Sequence, residues 1–417
     1  MKQWFSKQEW AYIFYDWAES AHTVMIATIV LQLLYSSMTA NAGMDEPTSM
    51  AIYGYITSAI GIVVAILAPI LGTMADYEGM KLKMFRIFFY IGIAATALLT
   101  FFPADNWQVL MLLYAGSTFG YTGANIFYDA FIVDITDHER MDLVSTAGYA
   151  FGYIGGSTIP LVLSILLLTQ HAIIGISITM AFRISFLMTA VWWYVFSLPF
   201  LHHVKQTEGR TPKTSILQES IGQLAETMKE ISKYKHIFIF LFAYFLYIDG
   251  VGTIMKMATV FATSLGLGSN DLLVVMLAIQ IIGFPFALLY GYASKKIDTK
   301  YLLFIAIAVY TIVCIYAFFM KTATDFWILG LLVATSQGGI QSLSRSYFGK
   351  MIPKEKANEF FGFYNILGRF ATVVGPALVG MMGAMFQDVR MGVFSLIFLF
   401  IAGALLLYYQ TTISRSA

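Results

Sequence analysis

The sequence predicts an all-α integral membrane protein with twelve transmembrane helices in two pseudo-symmetric six-helix bundles. Hydrophobic residues make up 59% of the chain and charged residues only 12%, whereas an ordinary soluble domain is about 25% charged. Twelve apolar segments are each long enough to cross roughly 30 Å of hydrocarbon as a helix. They lie near residues 10–40, 50–75, 84–103, 107–134, 143–169, 176–201, 236–265, 270–293, 301–320, 326–351, 358–386 and 391–411.

An internal repeat with an offset of 216 positions predicts the doubling into two bundles. At this distance Gly123 matches Gly339, Glu139 matches Glu355, Gly152 matches Gly368 and Pro160 matches Pro376. Tandem repeats of apolar segments are typical of membrane proteins built from two similar halves. We therefore expect an N-terminal bundle at 1–201, a linker at 202–235 and a C-terminal bundle at 236–417.

The distribution of Lys and Arg predicts the orientation of the chain. When the spans are threaded alternately, most of these residues fall on one side, and only Lys321 and Arg390 fall on the other. Because cytoplasmic loops carry the excess of positive charge, we expect the N- and C-termini and the linker in the cytoplasm and the chain in the cell's inner (plasma) membrane. The formal net charge of +1 gives no reason to expect a nucleic-acid partner.

The linker carries a helix signal. Ser215 and Gln218 match a capping box. The apolar residues after it repeat at spacings of four and three, at Leu217, Ile221, Leu224, Met228 and Ile231. This predicts a surface helix whose apolar face packs against both bundles, the alternative being a plain tether. His202 and His203 are adjacent but have no further ligand cluster, so we expect no metal site, and no motif indicates a cofactor.

Ionisable residues within spans are the strongest local indication of function, because each is costly at mid-bilayer unless it faces a partner or a wet cavity. In the first span, Asp16, Glu19 and Thr23 share one helix face, and His22 follows Glu19 by three residues. Two carboxylates beside an imidazole are suited to proton binding. Glu19 is therefore the first candidate for a proton carrier, and a packing role is the alternative.

Two later spans carry candidate substrate-binding charges. Asp249 and Lys256 are seven residues apart in the seventh span, hence on one face and about 10 Å apart along the axis. An anion and a cation at different depths could hold the ammonium and carboxylate of a zwitterion, or each could form an interhelical salt bridge. Arg369 in the eleventh span is a further candidate to receive a substrate carboxylate.

A gate pair is predicted from the fourth span and its repeat. Asn125 and Asp129 share a face by their i, i+4 spacing. The offset of 216 lays Asp129 over Arg345. Opposite charges at equivalent depths of the two halves suggest a pair that closes facing one side and parts facing the other.

The loop after the second span contains Gly72, Asp76, Gly79 and Lys81. Gly72 allows close helix approach, and Asp76 can cap a helix or pair with a neighbouring cation. Gly79 permits the turn, and Lys81 is expected to face the cytoplasm. This order of residues resembles the signature loop of the major facilitator superfamily. The resemblance implies the major facilitator fold and a conformational latch in this loop, whereas the alternative is a charged turn.

Four stretches carry a narrower resemblance, at residues 15–21, 148–156, 247–250 and 359–364. Together they resemble the vacuole-effluxer branch of the superfamily, whose fungal namesake is associated with autophagy and amino-acid release from the vacuole. The likeness covers nearly the whole chain. Within the second stretch, glycines four residues apart also predict close packing of the fifth span on a neighbouring helix, rather than a nucleotide site.

These patterns favour a secondary active transporter that moves a small-molecule substrate by alternating access, coupled to protons. Amino acids or related zwitterions are the leading substrates, and a monomer in the lipid bilayer is expected. A multidrug or amphipathic-lipid exporter is the alternative within transport, and a transport-inactive membrane receptor is the alternative outside it. An enzyme would need a nucleophile, base or metal constellation at one depth, and the sequence offers none.

Overall fold

The computed structural model describes residues 4–212, 215–229, 233–264, 269–370 and 374–416. Within this part the regular structure is helical, apart from an isolated bridge between Tyr77 and Arg210. The predicted all-α class is therefore confirmed. The helices are α1 (Lys7–His22), α2 (Val30–Asn41), α3 (Glu46–Ala75), α4 (Met80–Leu98), α5 (Trp107–Ala130), α6 (Ile132–Ile135), α7 (His138–Phe151), α8 (Ile159–Ile174), α9 (Ile178–His203), α10 (Ile216–Lys229), α11 (Lys235–Ser264), α12 (Ser269–Ala293), α13 (Thr299–Phe319), α14 (Ala323–Met351), α15 (Ala357–Phe370), α16 (Val374–Phe386), α17 (Val389–Phe394) and α18 (Ile397–Ser416).

Ten helical stretches among the described residues are long and apolar enough to cross a membrane. The two remaining predicted spans fall on α5, a helix of 24 residues, and on α15 followed by α16. The twelve predicted spans are consistent with this arrangement. Large apolar side chains such as Phe101, Leu112 and Ile173 are 72% to 83% exposed, as expected where lipid covers the surface.

Helix starts follow local sequence signals. Ser6 and Glu9 form a capping box at α1, with the Ser6 N–H donating to Glu9 Oε2 at 2.7 Å and the Glu9 N–H donating to Ser6 Oγ at 3.1 Å. Asp45 caps α3 by accepting the N–H of Thr48 at 3.0 Å. This bond lowers the pKa of the exposed Asp45 carboxyl.

Two spans contain widened π-helical turns, at Thr23–Thr28 after α1 and at Gly152–Thr158 after α7. A Cβ on Gly152 would lie 2.6 Å from Ser20 Oγ, and one on Gly156 would lie 2.2 Å from the carbonyl oxygen of Trp17. The fifth span therefore approaches α1 through these glycines, which confirms the close packing that their spacing predicts.

The chain folds into two compact units. The first consists of Met1–Thr136, Phe151–Ser220 and Lys354–Gly362, and the second of Asp137–Ala150, Ile221–Pro353 and Phe363–Ala417. Each unit thus takes most of its residues from one sequence half and a short stretch from the other. The bundle boundaries at 201 and 236 stay a prediction.

Helix α10 confirms that the linker contains a helix, but the apolar face of this helix is not packed against the protein as predicted. Its polar residues Ser220, Gln223 and Thr227 are buried, whereas Leu217 and Ile221 are about half exposed. The expectation that the apolar face packs against the protein is wrong at these two positions; Met228 and Ile231 lie outside the residues described at side-chain level. Ser220 is satisfied within α10, where its hydroxyl donates to the Ile216 carbonyl at 2.7 Å, and the Tyr77 hydroxyl donates to Glu219 at 3.1 Å.

Candidate functional site

Acidic and basic side chains of the first span lie inside the protein rather than in lipid. Asp16 is 4% exposed, Glu19 9% and His22 not at all. Their spacing of three residues places them on the side of α1 that packs inward. The predicted clustering on one buried face is therefore observed for these three residues.

Glu19 and Asn125, predicted separately from two spans, are in contact. The Asn125 side-chain amide donates to Glu19 Oε2 at 3.1 Å, and the Tyr15 hydroxyl donates to Asn125 Oδ1 at 3.4 Å. Among the described residues, no Lys or Arg forms an ion pair with Glu19. A buried carboxyl group here is held by neutral partners, which suits a group that binds and releases protons.

His22 continues the same contact one turn further along. Its Nε2 atom shares a hydrogen bond with Ser117 Oγ at 2.8 Å, and its ring stacks on Tyr121 with centroids 4.3 Å apart. The Tyr121 hydroxyl in turn shares a hydrogen bond with Thr23 Oγ1 at 2.8 Å. The His22 Nδ1 atom is buried without a hydrogen-bond partner in the described part of the chain.

These contacts form one continuous polar strip between two helices. We call it the α1–α5 polar interface. It consists of Tyr15, Glu19, His22 and Thr23 on the first span and Ser117, Tyr121 and Asn125 on α5. Ser117 and Tyr121 are not among the predicted site residues, although they precede Asn125 by eight and four residues on the same helix face.

Asp129 follows Asn125 by one more turn of α5 and is partly buried. Arg345, its predicted gate partner, is 2% exposed in α14. Its Nε atom donates to Ser145 Oγ at 2.9 Å, its Nη2 atom donates to the Ser145 carbonyl at 3.2 Å, and its guanidinium lies 4.7 Å from the Tyr149 ring centroid. The gate pair stays a prediction.

A second buried polar cluster lies near Arg345, and no residue of it was predicted to be functional. Asp142 is 2% exposed. It accepts Lys350 Nζ, Thr299 Oγ1 and Ser346 Oγ, each at 2.6 Å. The internal repeat offers one indication of this cluster. The offset of 216 lays Asp142 over Asn358 and Asp134 over Lys350, and all four residues form polar contacts with buried residues.

Asp249 is fully buried in α11. Its Oδ2 atom accepts the N–H of Gly375 at 2.6 Å, in the first turn of α16. A side chain at Gly375 would lie 2.1 Å from Thr253 Oγ1 and 3.0 Å from Asp249 Oδ1. Asp249 thus accepts a backbone N–H from the predicted eleventh span. The side chains of Lys256 and Arg369 lie outside the described residues.

The signature loop holds Asp76 against the start of α15. Asp76 is 2% exposed, and its Oδ1 atom accepts both the backbone N–H and the side-chain amide of Asn358, at 2.9 and 2.8 Å. Its Oδ2 atom accepts the Glu359 N–H at 3.2 Å. The expectation that Asp76 can cap a helix is confirmed. Burial raises the pKa of Asp76, whereas these hydrogen bonds and the nearby Lys81 lower it. The effect of burial is the larger, and the pKa is about 7.

The two glycines of the signature loop have distinct roles, and Gly72 lies in the last turn of α3 rather than in a loop. A Cβ on Gly72 would lie 2.4 Å from the carbonyl oxygen of Asn358, so only glycine allows this approach. Gly79 has a φ of 70° and begins α4 in a left-handed conformation that favours glycine.

Lys81 does not face solvent, and the expectation that it does is wrong. Its side chain is 2% exposed, and its Nζ atom contacts Asp134 Oδ2 at 2.5 Å and the Ala130 carbonyl at 3.3 Å. The ammonium also lies 5.0 Å from the Phe131 ring centroid. The lysine turns inward because the Asp134 carboxylate in α6 and the carbonyl at the end of α5 offer it charge-assisted hydrogen bonds.

Among the described residues, no group of three or more His, Cys, Asp and Glu side chains could hold a metal ion. The site consists of hydrogen-bonding and charged groups inside helices. Such an arrangement can bind a polar solute or a proton.

Comparisons with known proteins agree with this architecture. The model of the vacuole effluxer Atg22-like family matches residues 6–416. The MFS-type transporter YxiO of Bacillus subtilis is 46% identical over 411 residues, which cover 98% of this chain and 96% of that protein. Autophagy-related protein 22 of Kluyveromyces lactis is 22% identical over 405 residues, which cover 89% of this chain and 81% of its own.

Solved structures show the same fold at low identity. The proton:xylose symporter XylE superposes with a TM-score of 0.69 at 13% identity, covering 97% of this chain and 94% of its own. The major facilitator superfamily transporter FucP in its outward conformation gives a TM-score of 0.69 at 12% identity, covering 97% and 98%. The fold is therefore the major facilitator fold. With a family model matched over nearly its whole length, the chain belongs to the vacuole effluxer Atg22-like family of MFS-type transporters, and is not an enzyme.

Proposed function

We propose that the chain is a secondary active transporter that moves an amino acid or a related zwitterion by alternating access, coupled to protons. The hydrogen bond between Glu19 and Asn125, inside the α1–α5 polar interface, is the observation that carries the proposal. Glu19 serves as the proton carrier, with Asp16 and His22 beside it on the same buried helix face.

Proton coupling is supported by the neutral partners of Glu19. A carboxylate fixed by a permanent cation would stay charged through the transport cycle, whereas an amide and hydroxyl groups can accommodate either protonation state. The similarly folded XylE is a proton:xylose symporter, so in that protein this fold couples the movement of solute and proton.

A zwitterionic substrate is supported by charges in the second sequence half. Buried Asp249 offers an anion near the middle of its span, while Lys256 and Arg369 supply cations in the sequence. The name of the matched family, vacuole effluxer, favours release of solute from a compartment. Asp129 with Arg345 acts as the gate pair, and the signature loop with Gly72, Asp76, Gly79 and Lys81 acts as a latch.

The transporter functions as a monomer in the inner (plasma) membrane with both termini in the cytoplasm. The excess of Lys and Arg on the linker side supports this orientation. It places the signature loop and α10 in or near the cytoplasm.

Reconstitution tests the proposal. The purified chain is placed in liposomes that contain a pH-sensitive dye, and amino acids, peptides and amphipathic cations are screened for solute-dependent proton flux. We expect flux with a zwitterion and none in Glu19→Gln. Flux with lipophilic cations alone would support a multidrug or amphipathic-lipid exporter instead. Zwitterion uptake without any proton movement would reject the coupling.

A further inference from the structure

A groove of about 410 Å³ opens between the start of α4 and the segment that follows α9. Lys83, Arg86 and Lys205 contribute three cations to its lining. Ile87 and Tyr90 form an apolar and aromatic wall. The proposed transport site does not use any of these residues.

The cations of the groove are exposed and lack acidic neighbours in its lining. In the described part of the chain, neither Lys83 nor Lys205 has an ion-pair partner. Arg86 directs Nη2 to the Leu201 carbonyl at 3.0 Å, which fixes the guanidinium while leaving its other N–H groups available. Three unneutralised cations around one concavity favour an anionic ligand.

The shape of the groove favours a lipid over a free anion. Lys83, Ile87 and Tyr90 repeat at four and three residues along one face of α4, and Tyr90 lies about 10 Å deeper than Lys83 at 1.5 Å per residue. Ile87 is 45% exposed and Tyr90 48% exposed, on a helix that is long and apolar enough to cross a membrane. A phosphate held by the cations would therefore continue into an acyl chain lying along this wall.

The groove differs from its neighbour. An adjacent concavity of about 480 Å³ is lined by Glu78, Glu208 and Glu355 together with Arg210. Carboxylates there repel a phosphate, so charge confines an anionic headgroup to the basic groove.

Occupancy of the groove is connected to the signature loop through Gln206, which lines both concavities. Its Nε2 atom donates to the carbonyls of Ala75 and Tyr77 at 3.2 and 3.1 Å, and its Oε1 atom accepts the Lys81 N–H at 3.2 Å. A headgroup beside Gln206 lies next to the backbone that positions Asp76.

We propose that the groove formed by Lys83, Arg86 and Lys205 binds the headgroup of an anionic phospholipid from the surrounding membrane, with its acyl chain along Ile87 and Tyr90. The proposal concerns lipid binding alone, and its test does not depend on the proposed transport function.

Native mass spectrometry of the full chain titrated with phosphatidylglycerol or phosphatidylcholine tests the proposal. We expect phosphatidylglycerol to bind the variant Lys83→Gln/Arg86→Gln/Lys205→Gln at least about tenfold more weakly than the unaltered chain, since each cation near a membrane surface contributes substantially. The matched control Lys7→Gln/Lys295→Gln/Lys296→Gln removes the same charge from exposed positions outside the groove and should bind as the unaltered chain does.

The single variant Lys205→Gln, outside any helix, should weaken phosphatidylglycerol binding about fivefold without disturbing the fold. Equal losses in the two triple variants, or equal binding of phosphatidylglycerol and phosphatidylcholine, would overturn the proposal. Displacement of the lipid by millimolar glycerol phosphate would also overturn it, because the groove would then be a site for a soluble phosphate.

Discussion

Asn358 donates both its backbone N–H and its side-chain amide to a single oxygen of Asp76, at 2.9 and 2.8 Å. The two residues are 282 positions apart in the chain. Because α15 begins at Ala357, the Asp76 carboxylate satisfies N–H groups that the first helical turn leaves without an internal partner. A loop of the first sequence half thus caps a helix of the second.

Stability should fall as pH rises through the range in which Asp76 titrates. Its pKa is about 7 when folded, against 3.8 as the ordinary value. Between these values the folded chain holds a proton that the unfolded chain has released, so stability declines with rising pH and levels off above about 7. A shift of this size corresponds to on the order of 4 kcal/mol.

Thermal unfolding of the purified protein between pH 5 and 8 measures this effect. Asp76→Asn should show a smaller decrease in the unfolding midpoint across the range, because its amide stays neutral. The control Asp45→Asn should keep the dependence of the unaltered chain, since the pKa of Asp45 is lowered and it titrates below this range. Identical slopes for Asp76→Asn and the unaltered chain would contradict the assignment.

Gly72→Ala should separate the signature loop from α15. The added methyl group would meet the Asn358 carbonyl at 2.4 Å, and overpacking of this kind typically costs about 1–3 kcal/mol. The unfolding midpoint should fall accordingly. Gly61→Ala is the matched control, because a Cβ there meets nothing within 4 Å and the residue lies in the same helix. Similar midpoints for both variants would argue against a tight contact at Gly72.

Lys81→Met should destabilise the protein by about 3–5 kcal/mol, because the Asp134 carboxylate then stays buried with no cation beside it. The double variant Lys81→Met/Asp134→Asn should regain part of the loss, since the remaining amide oxygen can still accept from Thr207. Lys300→Met breaks a pair with Asp298, which is 52% exposed, and should cost less than about 1 kcal/mol. Denaturant unfolding compares the three, and equal effects at positions 81 and 300 would refute a buried ion pair.

Glu19→Gln should abolish gradient-driven accumulation while leaving the exchange of preloaded substrate measurable. The amide keeps the hydrogen-bonding shape toward Asn125 but cannot carry a proton. Both reactions are followed in the same liposomes with labelled substrate. Equal loss of accumulation and exchange would remove Glu19 from the coupling role.

The exchange Asp129→Arg/Arg345→Asp should restore more transport than either Asp129→Asn or Arg345→Gln retains. The proposed gate requires an attraction between these two positions, and opposite charges attract in either arrangement. Ser145→Ala is a necessary comparison, because Arg345 donates two hydrogen bonds to Ser145. If Ser145→Ala reproduces the defect of Arg345→Gln and the exchange rescues nothing, Arg345 serves the Ser145 contact alone.

Helical periodicity predicts which residues share a face but not which helix covers that face. It places Asp16, Glu19 and His22 together and pairs Asn125 with Asp129, because these depend only on residues per turn. The meeting of Glu19 with Asn125 depends on packing between α1 and α5, across 106 positions. No local pattern in a single sequence encodes that distance.

The two incorrect expectations have related causes. The distribution of Lys and Arg predicts which loops are cytoplasmic, but it does not predict what each lysine side chain contacts. Lys81 contacts Asp134, which is 53 positions away in the chain. The apolar spacing predicts that α10 is a helix, but it does not predict what covers its apolar face. Such a face can pack against a protein surface or against a membrane surface. Leu217 and Ile221 therefore remain exposed while Ser220 is buried.

The capping of α15 by Asp76 also has a consequence for synthesis of the chain. Asp76 leaves the ribosome long before Asn358 exists, and until then its carboxyl group is open to water and titrates as an ordinary aspartate. Once α15 docks, burial raises its pKa to about 7. Completion of this helix start near neutral pH is therefore accompanied by net proton uptake, which makes the last stage of assembly sensitive to the acidity of the surrounding compartment.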